Sequence, residues 1–484
     1  MERILTHLRT SALVLGPLFA ILPLFIAPPG ELSEPAWRLV GLTAWMALWW
    51  FSECVPIPAT SLIPLVWMPL VGIADEKQVA SRYADPVIFL FLGGFLIALG
   101  MQRWGLHRRI AFAIVSLAGN TPAQLIGGFM LATAFLSMWV NNTSTTMMMF
   151  AVALSVVEWV RSSAQGSADS HRFAVALMLG IAYSASIGGV GTLIGTAPNA
   201  LLAGFLRENY NYSLSMANWL FIGLPFVGLM LPFCWLWLTR VLFHAKSLNF
   251  SVIRERLAQE RAQMPSMCPA ERWVLAIFLL AVVGWLVREP LNRWTGLTLS
   301  DSLIAMSAGL AMFVLPATTR PREALLDWET AERLPWGVLL LFGGGLALAN
   351  AFESTGLAQA LGGSVAGLQN LSPIWIVLAV AGLIIFLTEL TSNTATTATF
   401  LPVVSAVAVG MGLDPRLLAI PVAVGASAAF MLPVATPPNA IVFASGEIKI
   451  HEMARAGLAL NLFCIVLVTL LMMTTARWGL GIGF

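Results

Sequence analysis

Apolar residues along this chain gather into runs of about membrane-spanning length, separated by short polar joints. A spanning helix needs about 20 mostly apolar residues, and shorter ones suffice inside protein. Such runs fall near 11–28, 38–54, 57–74, 86–102, 173–205, 218–239, 273–287, 301–316, 336–352, 416–446 and 456–475. Two further stretches, 122–160 and 371–411, are too long for one span and are broken by polar sequence. The breaks read WVNNTSTTMMM at 139–149 and LTSNTATTATF at 390–400. If each is a re-entrant hairpin that enters and leaves on one side, eleven spans remain. The pattern predicts an all-α polytopic membrane protein with 11 transmembrane helices plus two re-entrant hairpins.

Basic residues test that count, because Lys and Arg concentrate in cytoplasmic loops. With the N-terminus cytoplasmic, eighteen of the 26 Lys and Arg fall inside, and eight remain outside: Arg38, Lys77, Arg82, Arg207, Arg288, Arg293, Arg416 and Arg477. Counting either broken stretch as a single span reverses every later loop and destroys the bias. The first hairpin therefore opens inward, the second opens outward, and the C-terminus lies outside.

The two halves repeat. At a displacement of 251 positions, Gly93-Gly94 matches Gly344-Gly345, Gly105-Leu106 matches Gly356-Leu357, and Asn142-Thr143 matches Asn393-Thr394. Thr145-Thr146 likewise matches Thr396-Thr397. The register then slips by 11, at the polar loop 161–172, and GTAPNA (195–200) matches ATPPNA (435–440). With hairpins of opposite sense, these are inverted repeats. That architecture, with interrupted helices, is typical of secondary transporters that bind substrate near the midplane.

Composition narrows the class further. Only 10% of the 484 residues are charged and 58% are hydrophobic, against about 25% and about 45–50% in soluble chains. A net charge of +2 without a basic block argues against a nucleic-acid partner. Four single cysteines (Cys54, Cys234, Cys268, Cys464) suggest neither a disulfide framework nor a metal cluster. The five histidines sit at segment ends or in polar loops, so no catalytic or haem-ligating constellation is visible and an enzyme is not expected. The absence of a GxxxxGK[ST] motif argues against an ATP motor. Arg3 and Arg9 flank a first apolar run without a cleavage site, which reads as a retained helix.

The polar breaks carry the chemistry. A break inside an apolar helix frees N–H and C=O groups that lipid cannot satisfy, so it persists only inside protein or beside a hydrated cavity. The new N-terminal end carries roughly half a positive charge and free donors, which suit a carboxylate. The opposite end offers carbonyl oxygens, which suit Na⁺. Asn, Ser and Thr bond either partner without carrying charge across the bilayer. Isolated Ser/Thr motifs often serve helix packing alone, but two matched copies, each followed by a Pro-Asn break, favour a site. No Lys or Arg lies in either tip or break. A multivalent anion would then need co-bound cations, which points to Na⁺ coupling. Glu389, whose repeat partner is Met138, reads as a brace of the second hairpin rather than a cation ligand.

The tips at Asn142-Thr143 and Ser392-Asn393-Thr394, followed by GTAPN and ATPPN, resemble the divalent anion/Na⁺ symporter family, the INDY-type dicarboxylate and citrate transporters. The resemblance implies a homodimer in which a scaffold domain holds the dimer and a transport domain moves as an elevator. On that basis 1–85 are N-terminal scaffold helices, 86–205 the first inverted repeat, and 206–334 scaffold helices with a cytoplasmic loop. Residues 335–446 form the second repeat, and 447–484 a C-terminal scaffold helix. Substrate would touch Asn142, Thr143, Asn393, Thr394, Thr196 and Pro437. One Na⁺ would be held by Ser137, Asn141, Asn142 and the backbone at Gly195; the other by Thr388, Thr391, Asn393 and the backbone at Ala435. Asn141 departs from the family's usual serine, though its amide oxygen can still ligate Na⁺.

The sequence thus predicts a secondary-active symporter of the bacterial inner membrane, importing C4-dicarboxylates or related di/tricarboxylates with Na⁺ and working as a homodimer among membrane lipids. A carboxylate/carboxylate exchanger or a sulfate transporter of the same fold is the near alternative. An intramembrane enzyme and a passive channel are the distant ones.

Overall fold

The computed structural model describes residues 2–30, 32–117, 119, 121–163, 168–245, 259, 263–317, 323–364 and 371–482. Among them every regular element is a helix, apart from one isolated bridge between Pro316 and Ala324. The helices that shape the site begin with α1 (Glu2–Ile21), α2 (Glu34–Ser52), α3 (Ile63–Leu70), α4 (Pro86–Arg103) and α5 (Leu106–Val115). They continue with α6 (Pro122–Ser137), α7 (Asn142–Ser163), α8 (Ala168–Val190), α9 (Ala197–Tyr210) and α10 (Met216–Leu236). Then come α11 (Pro269–Thr295), α12 (Asp301–Val314), α13 (Trp336–Ser354), α14 (Leu357–Ser364) and α15 (Pro373–Thr388). The last are α16 (Asn393–Gly410), α17 (Arg416–Ala426), α18 (Pro437–Phe443) and α19 (Ile450–Leu471).

The internal repeat is visible in where helices start. α5, α6 and α7 begin 251 positions before α14, α15 and α16, and α9 begins 240 positions before α18. Local sequence sets several of these starts. Asp85 caps α4 through the Val87 amide at 2.8 Å, with Pro86 in the first turn where no donor is missed. Thr121 and Gln124 form a capping box ahead of α6. Gly105 and Gly356 turn the chain into α5 and α14 with φ of +72° and +81°, a left-handed conformation open to glycine at little cost.

Packing arranges the copies around two buried axes. Every residue of α8 from Phe173 to Val190 is buried, as is α17 from Leu417 to Ala426. Helices apolar on all sides belong in such an interior. α6 and α7 lie against α8, while α15 and α16 lie against α17. The chain is non-helical at 191–196, between α8 and α9, and again at 428–436, ahead of α18. Beyond each break it crosses over: α9 packs on α16 and α17, and α18 packs on α7 and α8. The copies are interlocked. α10 backs α6 and α8, α19 backs α15 and α17, and the largest helix interface joins α4 to α12.

Seven helices among the described residues are long and apolar enough to cross a membrane. The expected spans near 11–28, 57–74, 301–316 and 416–446 are built from shorter helical pieces. Large apolar side chains face outward, including Leu279, Leu280, Val283, Leu286 and Val287 on α11. Such a face suits lipid and would promote association in water. The architecture is that of an all-helical, polytopic membrane protein.

Candidate functional site

Both polar interruptions fall at helix junctions. α6 ends at Ser137 and α7 starts at Asn142; α15 ends at Thr388 and α16 starts at Asn393. Ser137 Oγ lies 2.7 Å from Asn142 Oδ1 and 2.7 Å from the Ala185 carbonyl. Thr388 Oγ1 repeats this, 2.7 Å from Asn393 Oδ1 and 2.9 Å from the Ala426 carbonyl. With the amides turned this way, three oxygens converge in each copy around a single hydroxyl hydrogen. One hydrogen cannot serve both acceptors, so each triad has oxygen to spare for a hard cation. The first turns are tied down alike: Thr146 donates to the Asn142 carbonyl at 2.7 Å, and Thr397 to the Asn393 carbonyl at 2.8 Å.

Among the described residues the Asn142 and Thr143 amides at the half-buried start of α7, and the Asn393 and Thr394 amides at that of α16, bond no acceptor and suit an anion. Among the described residues the Thr143 and Thr394 hydroxyls bond no protein group, and the Thr196 hydroxyl, in a buried residue, is not used as a cap. Pro437 is exposed at the start of α18. It is not the repeat equivalent of Thr196, which corresponds to Thr436. Thr436 caps α18 through the Asn439 amide at 3.3 Å.

The residues expected to hold cations divide similarly. Ser137 and Asn142 come together, as do Thr388 and Asn393. Asn141 spends its Oδ1 capping α7 through the Ser144 amide at 2.8 Å. Thr391 contacts the Leu387 carbonyl at 2.9 Å and the Thr396 hydroxyl at 2.7 Å. Gly195 and Ala435 are buried in the breaks, and their amides bond Thr192 Oγ1 at 3.1 Å and the Leu432 carbonyl at 3.2 Å.

The breaks are held by the asparagines of GTAPN and ATPPN. Asn199 Nδ2 donates toward the carbonyls of Gly189, Val190 and Thr192 at 3.4, 3.2 and 2.8 Å. Asn439 Nδ2 does so toward Ala429 and Leu432 at 3.2 and 3.0 Å. In the second copy Glu389 completes the work. Its carboxylate accepts the amides of Phe430, Met431 and Leu432 at 2.7, 2.9 and 3.1 Å, and Asn461 Nδ2 at 2.8 Å. Four donors on one buried carboxylate are a brace that leaves little for a cation.

A family model described as the sodium:sulfate symporter transmembrane region matches residues 8–482. The chain belongs to that family. Two similar proteins are sodium-dependent dicarboxylate transporters named SdcS. The protein of Staphylococcus saprophyticus is 39% identical over 476 residues, covering 97% of this chain and 92% of that protein. The protein of Staphylococcus aureus is 40% identical over the same length and coverage. Two solved transporters share the fold at low identity. MtrF of Neisseria gonorrhoeae has a TM-score of 0.60 at 13% identity over 98% of this chain and 96% of its own. YdaH of Alcanivorax borkumensis has 0.57 at 15% identity over 84% and 90%.

In this symporter-family chain, sequence reasoning missed the residues that set the site from behind. A Cβ on Gly189 would come 2.5 Å from Asn142 Oδ1, so only glycine lets that amide sit against α8. Trp219 of α10 donates to the Val190 carbonyl at 2.8 Å. Asn461 of α19 steadies Glu389. Asn461 is a lone polar residue in an apolar run and Glu389 the lone charge of its hairpin, and pairing such residues was the signal available. Gly189 and Trp219 left no signal.

Proposed function

We propose that the chain is a Na⁺-coupled symporter of the bacterial plasma membrane that imports C4-dicarboxylates or related di/tricarboxylates. Asn142, Thr143, Asn393 and Thr394, with Thr196 and Pro437 beside them, receive the carboxylates. One Na⁺ sits at Ser137, Asn141, Asn142 and the Gly195 backbone, the other at Thr388, Thr391, Asn393 and the Ala435 backbone. Ser137, Asn142, Thr388 and Asn393 contribute most in this reading, because Asn141 Oδ1 is already committed to a cap. The carrying observation is the matched pair of oxygen triads, each at a helix start, with no Lys or Arg in either tip or break. Charge balance then comes from sodium: a dianion joined by two or more Na⁺ crosses at far lower electrostatic cost than one alone.

The proposed topology has eleven spans and two hairpins, with the N-terminus cytoplasmic and the C-terminus outside. α7 is long enough to span by itself, but its polar start packs inside the protein against α8, which favours a re-entrant arm. Transport follows an elevator motion in a homodimer surrounded by lipid. In this proposal the moving group is α6–α10 with α15–α19, carried on the arms α5 and α14, against a frame of α1–α4 and α11–α13. That moves α10 and 447–484 out of the expected scaffold, because α10 and α19 bond directly to the breaks. It returns α4 to the frame, since α4 packs most extensively on α12, and α13 goes with it as its repeat counterpart, in contact with α3 but lying chiefly along α9 and α16 at the boundary with the moving group.

Sulfate transport by the same fold is the second reading, favoured by the family description; the dicarboxylate relatives favour the first. Uptake of labelled succinate and sulfate into proteoliposomes, with and without a Na⁺ gradient, tests both. Na⁺-driven succinate uptake supports the proposal. Equal uptake without Na⁺ overturns symport, and sulfate preference overturns the substrate.

A further inference from the structure

The tip between α6 and α7 borders a cavity of about 370 Å³. Asn141 and Ser144 line it from the tip, Gln102 and Arg103 from the end of α4, and Thr330 and Arg333 from the segment before α13. Its size falls within the range of small-molecule pockets. A second cavity, of about 210 Å³, shares Gln102 and Ser144, so space wraps the tip on two sides.

The two arginines differ in what neutralises them. Arg103 pairs with Asp327, lies 3.9 Å from Glu323, and touches Thr330 Oγ1 at 3.2 Å. Hydrogen bonds from the Thr330 hydroxyl and amide, and then Arg103, pull the Asp327 carboxyl down to about 2. Arg103 is therefore compensated at any physiological pH. Arg333 is exposed and forms no ion pair among the described residues, although Glu329 and Glu332 are close in sequence. An uncompensated cation on a cavity with low-dielectric walls concentrates anions there.

We propose that this cavity is a transit site for the dicarboxylate, in which Arg333 receives a carboxylate as it leaves the α6–α7 tip and Gln102 and Ser144 add neutral donors. The inference rests on the proposed symport. A central site without fixed basic groups loses its counter-charge when sodium departs, and the dianion then needs a cation along its exit. Arg333 is that cation, placed on the same cavity as Asn141.

Proteoliposomes with sorted orientation test this, using succinate half-saturation measured separately from each face for wild type, Arg333→Gln and Arg333→Lys. On the face carrying Arg103 and Arg333, Arg333→Gln raises half-saturation about three- to tenfold, the loss of one charge-assisted contact. Arg333→Lys restores most of it, and added salt shrinks the difference. From the opposite face both variants stay within about twofold of wild type. Unchanged half-saturation on the Arg333 face, in protein whose wild type shows Na⁺-driven uptake, overturns the transit site alone. Absence of Na⁺-driven uptake in wild type overturns the underlying symport reading and the transit site with it.

Discussion

In the first copy the break between α8 and α9 is held by neutral groups. The Thr192 hydroxyl bonds the Met138 carbonyl and accepts the Gly195 amide, and Trp219 caps Val190. In the second copy the break ahead of α18 is gathered onto the buried Glu389 carboxylate, which is itself bonded by Asn461. Helix starts differ as well. Asn141 caps α7, whereas Ser392 makes no side-chain cap on α16, where the Thr391 and Thr396 hydroxyls bond each other. Against this variety, three features recur in both copies: the hydroxyl–amide–carbonyl triad, the Thr146/Thr397 back-bond, and the asparagine clamp. What recurs is the geometry on which the proposed binding site rests. What differs secures local stability, for which many arrangements serve.

That division orders the expected effects of substitution. Asn142→Ala and Asn393→Ala remove the amide oxygen from each recurring triad while Ser137 and Thr388 keep the Ala185 and Ala426 carbonyls, so the loss falls on ligand binding rather than folding, and initial succinate uptake falls at least about 100-fold in both, about 3 kcal/mol. Membrane insertion and gel-filtration profile stay normal. Near-normal uptake by either variant breaks the equivalence of the copies. Glu389→Gln tests the asymmetric brace. It weakens several charge-assisted bonds and lowers stability by about 2–3 kcal/mol, read as a drop in thermal midpoint, while the Na⁺ half-saturation stays within about twofold. A tenfold Na⁺ shift at unchanged stability would make Glu389 a cation ligand instead. Asn141→Ser has the smallest effect, because serine caps helices nearly as well as asparagine, and the loss stays under about 1 kcal/mol. If uptake changes more than about threefold, Asn141 contributes more than its cap.

Much of this was legible beforehand because it obeys period and register. Apolar runs located the helices, and the constant displacement placed Asn142 and Asn393 at equivalent helix starts. The matched Thr-X-Pro-Asn breaks were visible too, although proline drew attention first and the asparagines do the clamping. Contacts between distant elements left no such trace. Nothing in the chain announced that α9 leans on α16, that Gly189 must clear Asn142, or that Trp219 reaches Val190, since each depends on how helices cross. Glu389 was the instructive middle case: its burial was apparent from its apolar neighbours, and the four donors that make burial tolerable were not.

Reciprocal binding of sodium and substrate is the most direct test, because ligands that neutralise each other at one site must tighten each other by the same factor. Succinate affinity should be measured by calorimetry on purified protein at rising Na⁺, with K⁺ holding ionic strength constant, and Na⁺ affinity at rising succinate. Each ligand is expected to strengthen the other at least about tenfold, equally in both directions, and K⁺ is not expected to substitute. Succinate binding of equal strength in Na⁺ and K⁺ would contradict this coupling.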